Sequence, residues 1–222
     1  DIIRRLNQIE GIQRIRLGSI EPTTITEEFV LAAAEMPKLC PHYHLSLQSG
    51  SDTTLRAMNR KYTTEEYSKS VDLLKKHIPD VAITTDIMVG FPGETDEDFL
   101  NSLNFAEKIG FSKIHVFKYS PRKGTPAAES PDQIAPEIKE ARSEKMLALS
   151  DRLEEQYLGR FIDREMDVLY EQALTEKKGY IEGLTSNYIR VAAEGTEDMS
   201  GKIVRTKLLK INGNMFEGSI MW

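Results

Sequence analysis

The sequence predicts an α/β protein in which an open, partial (β/α) barrel is followed by a small all-β barrel. Strand patterns alternate with helical patterns up to residue 159, which predicts parallel strands joined by right-handed crossovers. After that point, short alternating segments are separated by glycine turns, a pattern typical of a small closed sheet. We therefore predict two domains, residues 1–159 and residues 160–222.

The composition excludes several classes of protein. The net charge of −6 over 222 residues argues against broad attraction to nucleic acid, although it does not exclude a local basic patch. No run approaches ~20 consecutive apolar residues, so we predict no membrane span. The single cysteine excludes a disulfide framework, and a cluster or zinc site ligated by cysteines of this chain alone. It suits a cytoplasmic protein.

The first two repeats predict strands followed by capped helices. Residues 2–9 have a helical pattern with no initiator methionine or signal peptide before them, so we expect a piece of a longer protein. A strand is predicted over residues 13–20, and Thr24 with Glu27 predicts a capping box for the next helix. The second repeat has a strand over residues 42–48, a polar segment, and a helix capped by Thr63 and Glu66.

The third repeat contains the glycine loop around which the rest is organised, residues 89–95. It joins a strand over residues 81–88 to a helix whose predicted caps are Thr95 and Asp98. Gly90 and Gly93 leave room for a ligand beside the backbone. The turn also predicts free backbone N–H groups facing whatever lies above the sheet. An ordinary loop with a turn proline is the alternative.

The fourth repeat and the long helix complete the first domain. Gly110 predicts the end of the preceding helix, and a strand follows over residues 113–120. Pro136 predicts the first turn of a long helix that ends at Gly159.

The two faces of the predicted strands differ in polarity. One is rich in β-branched apolar residues and would meet the helices, whereas the interior of a closed eight-stranded barrel is itself filled with such residues. A polar opposite face therefore favours an open barrel around a polar ligand, with a doubly wound sheet as the alternative. That polar face comprises Arg14, Arg16, His44, Ser46, Gln48, Thr84, Asp86, His115 and Tyr119.

The last domain is predicted to be an OB-like barrel of five strands. The strands cover residues 165–170, 179–184, 188–192, 202–211 and 215–221. Its basic residues are candidates for an RNA-binding face, although acidic residues are mixed with them. They are Arg190, Lys202, Arg205, Lys207 and Lys210.

Five motifs are distributed over residues 14–125. They are RIRLGSIEP at residues 14–22, HLSLQSGS at 44–51, MNRKYT at 58–63, GFPGET at 90–95 and VFKYSPRKGT at 116–125. In this order and spacing they resemble the radical S-adenosylmethionine methylthiotransferases. The last domain resembles that family's TRAM domain, a small RNA-binding barrel. The LGSIEP form resembles the tRNA threonylcarbamoyladenosine methylthiotransferases.

The sequence departs from this family at its catalytic signature. The family holds one [4Fe-4S] cluster with a CxxxCxxC triplet and a second with three further cysteines, whereas Cys40 stands alone here. The resemblance therefore implies a truncated barrel with no catalytic and no metal-ligating residue of its own, inactive by itself.

The resemblance implies an S-adenosylmethionine site made from several motifs. Arg60 would bind the cofactor carboxylate, and Gln48 and Asp86 the ribose or amine, with Glu21 nearby. Ordinary surface or strand-end roles are the alternatives. The adenine would be bordered by Gly90, Phe91, Pro92, Gly93, Phe117 and Tyr119. His44 and His115 fit structural roles equally well.

The implied function is methylthio transfer to N6-threonylcarbamoyladenosine at position 37 of a tRNA substrate. RNA contacts are predicted at Arg122 and Lys123, in the loop after the last barrel strand, and at Arg190, Arg205 and Lys207. The alternatives are an isopentenyladenosine-tRNA or ribosomal-protein methylthiotransferase, a non-catalytic RNA-binding protein, and an enzyme with another nucleotide cofactor. An open edge on the truncated sheet also predicts self-association.

Overall fold

The structure, a computed structural model, describes residues 1–221. It contains a four-stranded parallel sheet in the order β1-β2-β3-β4 and a closed barrel in the order β5-β6-β7-β9-β8. The strands are β1 Ser19–Ile20, β2 His42–Leu45, β3 Ala82–Val89, β4 Lys113–Lys118, β5 Glu165–Ala173, β6 Tyr180–Thr185, β7 Arg190–Glu194, β8 Ile203–Asn212 and β9 Met215–Ile220. The predicted α/β class with a parallel sheet and a small β-barrel is confirmed.

Seven α-helices lie within residues 1–221. They are α1 Ile2–Gln8, α2 Glu27–Ala34, α3 Asp52–Ala57, α4 Thr64–His77, α5 Asp96–Ile109, α6 Pro126–Glu129 and α7 Pro136–Gly159. None of them is both long enough and apolar enough to cross a bilayer.

The chain divides into two compact units that are not continuous in sequence. One comprises residues 17–36 and 43–153, and the other comprises residues 1–16, 37–42 and 154–222. The unit that contains the β-barrel therefore also includes two segments from the first part of the chain.

Helix boundaries were predictable where the capping side chain acts locally. The capping boxes Thr63–Glu66 and Thr95–Asp98 are both present, and Gly110 ends α5 with φ 65°. The predicted Thr24–Glu27 box is wrong. Thr24 lies in a short 3-10 turn, and the Thr26 hydroxyl instead accepts from the Phe29 N–H at the start of α2.

The predicted strand over residues 13–20 is not continuous. Ile15 forms an isolated bridge with Leu39, and only Ser19–Ile20 continues as β1. Pro41, which has no N–H, separates the two partner segments of this ladder. The polar segment that follows β2, for which the sequence analysis predicted no particular element, contains α3, which is capped by Ser51.

Arg14 and Arg16 do not belong to the polar face on which the sequence placed them. The Arg14 guanidinium donates to the carbonyl oxygens of Leu184 and Asp167, each at 2.8 Å. The Arg16 guanidinium lies 4.5 Å from the centre of the Tyr188 ring. Both cations therefore dock on the β-barrel of their own compact unit.

The barrel closes through one parallel pair, β7 with β9, and otherwise antiparallel pairs. All five strands were predicted. Their predicted and observed ends differ by at most three residues, and the largest difference is at the C-terminal end of β5. The core of the barrel is apolar and fully buried at Val168, Tyr170, Val191, Leu208 and Phe216.

Candidate functional site

A cavity of about 790 Å³ lies in the unit that holds the parallel sheet, a volume typical of small-molecule sites. It is reached by six of the predicted site residues: Gln48, Arg60, Phe91, Phe117, Tyr119 and Arg122. The remaining lining residues are Ala57, Met58, Asn59, Met88, Lys118, Ser120, Thr125, Pro126 and Ala127. Glu21, Asp86, Gly90, Pro92, Gly93 and Lys123 do not line it.

Gln48 reaches the cavity from a strained backbone position. Its φ is 68°, in the left-handed region that residues with a Cβ rarely adopt. Its N–H donates to the Asp86 carbonyl at 2.8 Å, and its carbonyl accepts from the Met88 N–H at 2.9 Å. These two bonds over-determine the conformation and hold the side chain at the end of β3.

Arg60 follows another left-handed residue, Asn59, with φ 59°. The Arg60 guanidinium lies 3.7 Å from the Glu21 carboxylate, which is 61% exposed and outside the cavity. Beside it, the Tyr62 hydroxyl donates to the carbonyls of Ser46 and Leu47 at 2.7 and 3.1 Å. Burial raises the pKa of Tyr62, so this hydroxyl stays a neutral donor that fastens the segment.

Asp86 belongs to a polar cluster on the inner face of the sheet. Its carboxylate lies 3.4 Å from His44 Nε2, and His44 Nδ1 is 3.0 Å from the Thr84 hydroxyl. The His44 and His115 rings lie 5.8 Å apart. The predicted polar face is therefore present at these four positions, although the Asp86 carboxylate is engaged with His44 rather than lining the cavity.

Three N–H groups of the glycine loop are already hydrogen-bonded within the protein, whereas the sequence predicted free donors. The Gly90 N–H donates to Glu94 Oε2 at 2.7 Å, and the Gly93 N–H donates to the Asp132 carbonyl at 2.9 Å. The Glu94 N–H donates to the Phe91 carbonyl at 2.9 Å. These three donors are therefore occupied, one of them by a residue outside the loop, and the loop contributes the aromatic side chain of Phe91 to the cavity instead.

The aromatic wall of the cavity consists of Phe91, Tyr119 and Phe117. Phe91 and Tyr119 meet edge to face, with centroids 5.3 Å apart and planes at 73°. Tyr119 is buried, whereas the Phe117 side chain is half exposed. Together with Met58 and Met88 this wall forms an apolar slot in the cavity that Gln48 and Arg60 also line.

Sequence analysis missed the two methionines and the residues that support the loop from α7. Met58 is the first residue of the MNRKYT motif and Met88 precedes the glycine loop, but a methionine is more often a core residue, so composition gave no reason to select them. Lys139 and Arg142 lie in a helix that was predicted only as a scaffold, and their partners are far away in sequence.

The predicted RNA-binding residues fall into two groups. Within residues 1–221 the Arg122 guanidinium at the cavity has no carboxylate partner, and Lys123 is exposed beside it. The barrel cations are instead paired with acidic side chains. These pairs are Arg190–Glu182 at 2.8 Å, Arg205–Asp167 at 3.3 Å and Lys207–Asp163 at 3.5 Å.

The residues of this chain do not fit an iron–sulfur cluster. Across residues 1–221 no group of three or more His, Cys, Asp or Glu side chains is arranged to hold a metal ion. Cys40 is buried and is the single cysteine of the sequence. Any cluster would need ligands from outside these 222 residues.

Comparisons with known proteins agree with the motifs. A family model described as the radical SAM superfamily matches residues 1–106. The chain is 42% identical to the threonylcarbamoyladenosine tRNA methylthiotransferase MtaB of Bacillus subtilis over 96% of this chain and 48% of that protein. It is 38% identical to the tRNA-2-methylthio-N6-dimethylallyladenosine synthase of Acetivibrio thermocellus over 100% of this chain and 46% of that protein.

The fold is similar to a solved radical SAM structure. Coproporphyrinogen III oxidase from Escherichia coli matches with a TM-score of 0.54 and 14% identity, over 97% of this chain and 55% of that one. The chain spans about half the length of the curated relatives it matches. By its motifs and by these relatives, the chain is similar to the radical S-adenosylmethionine methylthiotransferases over the half of their length that it spans.

Proposed function

We propose that this chain supplies the S-adenosylmethionine cradle and part of the RNA contact of a tRNA methylthiotransferase. The proposed substrate is N6-threonylcarbamoyladenosine at position 37 of tRNA. The observation that carries the proposal is the cavity, which combines an aromatic and methionine slot with Gln48 and Arg60. Such a combination suits a nucleoside with a charged tail.

The cavity residues match the groups of S-adenosylmethionine in kind. The Arg60 guanidinium is a donor for the carboxylate, and the Gln48 amide can bond a ribose hydroxyl. Phe91, Phe117 and Tyr119 would border the adenine. Glu21 would act through Arg60, with which it pairs at 3.7 Å, and Asp86 through the backbone bond to Gln48.

When bound, the cofactor would supply the radical that abstracts hydrogen from the adenine base, and the methyl group. The residues of this chain would bind it, orient it and exclude water from the apolar slot. We expect the 222 residues alone to be inactive, because cluster ligands are lacking. Incubation with iron, sulfide, reductant, S-adenosylmethionine and tRNA, followed by mass spectrometry of nucleosides, tests this; methylthioadenosine products would contradict it.

The cofactor assignment is tested by calorimetric titration with S-adenosylmethionine. We expect weak binding that is lost in Arg60→Ala and reduced in Asp86→Ala. Arg56→Ala is the matched control, because Arg56 is an exposed arginine whose guanidinium donates to the Thr53 hydroxyl and which does not line the cavity. Equal binding by all three variants would contradict the assignment.

The main rival differs only in the modified base. The 38% identity to a dimethylallyladenosine synthase lies close to the 42% identity to MtaB, so identity alone does not separate the two substrates. We expect anticodon stem-loops carrying threonylcarbamoyladenosine to bind more tightly than otherwise identical ones carrying dimethylallyladenosine. The reverse order would favour the rival.

Self-association through the sheet edge is a separate part of the proposal. The edge strand β1 has only two residues, so it offers a short template for pairing with a second copy. Sedimentation velocity over a concentration series tests this, and a monodisperse monomer at high concentration would contradict it.

A further inference from the structure

Arg142 is a buried cation in α7 that reaches the glycine loop. The residue is only 5% exposed. One guanidinium nitrogen donates to the Glu94 carbonyl at 3.0 Å and to its carboxylate at 2.7 Å, and the other donates to the Asp96 carboxylate at 2.7 Å. The guanidinium also lies 5.6 Å from the centre of the Phe99 ring. These contacts hold the end of the loop and the start of α5 together.

Glu94 links Arg142 to Gly90, at the other end of the loop. Its carboxylate accepts from Arg142 and, through the same oxygen, from the Gly90 N–H at 2.7 Å. Glu94 is 3% exposed, and burial raises the pKa of its carboxyl group. A carboxylate in this place therefore needs both donors, and the loss of one leaves a buried charge short of partners.

Lys139 lies one turn before Arg142 and presses on the same loop. A Cβ at Gly90 would collide with Lys139 Cγ, so helix and loop are in direct contact. The Lys139 ammonium donates to the Tyr119 carbonyl at 3.2 Å and lies 5.3 Å from the centre of the Tyr119 ring. The first turns of α7 therefore touch both the loop that carries Phe91 and the strand end that carries Tyr119.

Phe91 and Tyr119 pack against each other in the cavity wall, so the position of each ring is set partly by the other. The ring centroids lie 5.3 Å apart, and aromatic pairs keep this distance within about 4.5–7 Å, so a shift of the loop by about 2 Å would break the contact and open the slot. The Gly93 N–H is held by the Asp132 carbonyl, whereas the Gly90 N–H is held by the Glu94 carboxylate, so the Gly90 end of the loop depends on the position of Glu94.

We propose that Arg142 is a positioning residue for the cofactor cavity, which holds the loop of residues 90–95 through Glu94 so that Phe91 stays packed on Tyr119. This inference rests on the proposed cofactor function, since it makes the slot for an adenine-bearing ligand depend on a residue outside it. Arg142 touches no ligand in this arrangement, and its effect passes through the loop.

The test uses the 222-residue chain labelled with 15N and with methyl-13C methionine. The variants are Arg142→Met, Arg142→Lys and Glu94→Gln. Arg152→Met is the matched control, because Arg152 lies on the same helix but pairs with Glu107 at the surface. Hydrogen exchange of the Gly90 and Gly93 amides reports on the loop, and the Met58 and Met88 methyl signals report on binding of S-adenosylmethionine.

We expect Arg142→Met to speed exchange at Gly90 and Gly93 by about tenfold or more, while the Ile87 amide in β3 is unaffected. Affinity for S-adenosylmethionine should fall by a similar factor, Arg142→Lys should recover part of both effects, and Arg152→Met should match the wild type. If Arg142→Met does not fold, Arg142→Lys and Glu94→Gln carry the same comparison.

Three results would overturn the inference. They are unchanged exchange at the two glycines in a folded variant, an equal rise at Ile87, and faster loop exchange with undiminished affinity. Absence of S-adenosylmethionine binding by the wild type would instead contradict the proposed function. The exchange data would then still decide whether Arg142 holds the loop.

Discussion

The backbone N–H of Gln48 donates to the carbonyl oxygen of Asp86 at 2.8 Å, which joins two candidate cofactor residues that are distant in sequence. The bond forms part of an isolated parallel bridge between Gln48 and Ile87. The position of the Gln48 side chain is therefore set by β3, and any displacement of that strand near Asp86 would move the cavity wall.

Because Gln48 has a positive φ, we expect two substitutions at this position to differ in their effect on stability. Gln48→Ala removes the amide but retains a Cβ at φ 68°, whereas Gln48→Gly removes the amide and also relieves the strain. We expect the glycine variant to unfold with a free energy about 0.5–1 kcal/mol higher than the alanine variant. Both should lose affinity for S-adenosylmethionine equally. Urea unfolding measures the first effect, and a less stable glycine variant would refute the strain argument.

Gly90 and Lys139 should be energetically coupled. Gly90→Ala meets two obstacles, a φ of 72° and the Lys139 side chain, whose Cδ would lie 3.1 Å from the new Cβ. We expect Gly90→Ala to destabilise by about 2–4 kcal/mol. Lys139→Ala should recover only the steric part. A double-mutant cycle by urea unfolding measures the coupling, and strictly additive effects would show that the helix does not press on the loop.

Asp98 predicts an acid-sensitive contribution to stability. Its carboxylate accepts from the Ser51 hydroxyl at 2.6 Å and from the Thr95 N–H and hydroxyl at 3.0 and 2.7 Å. Burial raises its pKa, but these hydrogen bonds outweigh burial, so the pKa of Asp98 is lowered in the folded protein. Because the folded pKa lies below the unfolded one, this stabilisation is present above about pH 4 and is lost as the pH falls further.

The measurement compares the wild type with Asp98→Asn in urea at several pH values. At pH 7 the variant should be less stable by about 1–2 kcal/mol, because it loses a charged cap and a buried hydrogen bond. The difference should shrink below about pH 4. A gap that stays constant down to pH 2 would show that ionisation of Asp98 is not responsible.

Contacts between residues close in sequence could be predicted from the sequence, whereas contacts between distant residues could not. The boxes Thr63–Glu66 and Thr95–Asp98 join residues three apart, so their patterns alone revealed them. The contact of Arg142 with Glu94 crosses 48 positions, and nothing near Arg142 indicates it. The acceptor of the Gly93 N–H, the Asp132 carbonyl, was missed for the same reason, whereas Glu94, which accepts from the Gly90 N–H, is only four residues away.

The barrel has no room for a side chain at position 183, where the sequence has glycine. A Cβ there would collide with the Leu169 carbonyl and lie 2.6 Å from Tyr170 Cα, both of which are backbone atoms of the paired strand β5. We expect Gly183→Ala to destabilise by about 3 kcal/mol or more. Gly159→Ala is the matched control, because a Cβ at Gly159 meets no atom within 4 Å. Thermal unfolding compares them, and equal melting temperatures would contradict the close approach.

Arg122 and Arg205 should contribute unequally to RNA binding. Arg122 lines the cavity without a carboxylate partner among residues 1–221, whereas Arg205 lies 3.3 Å from Asp167 and 3.6 Å from Glu165. An arginine that is already paired must break those pairs before it can bind a phosphate, so its net gain is smaller. We expect Arg122→Gln to weaken binding of an anticodon stem-loop about tenfold and to reduce the slope of log affinity against log salt by about 0.7–0.9. Arg205→Gln should change both by much less. Fluorescence anisotropy at several salt concentrations measures these quantities, and a larger loss in Arg205→Gln would contradict this ranking and place the main contact on the barrel, the other of the two predicted regions.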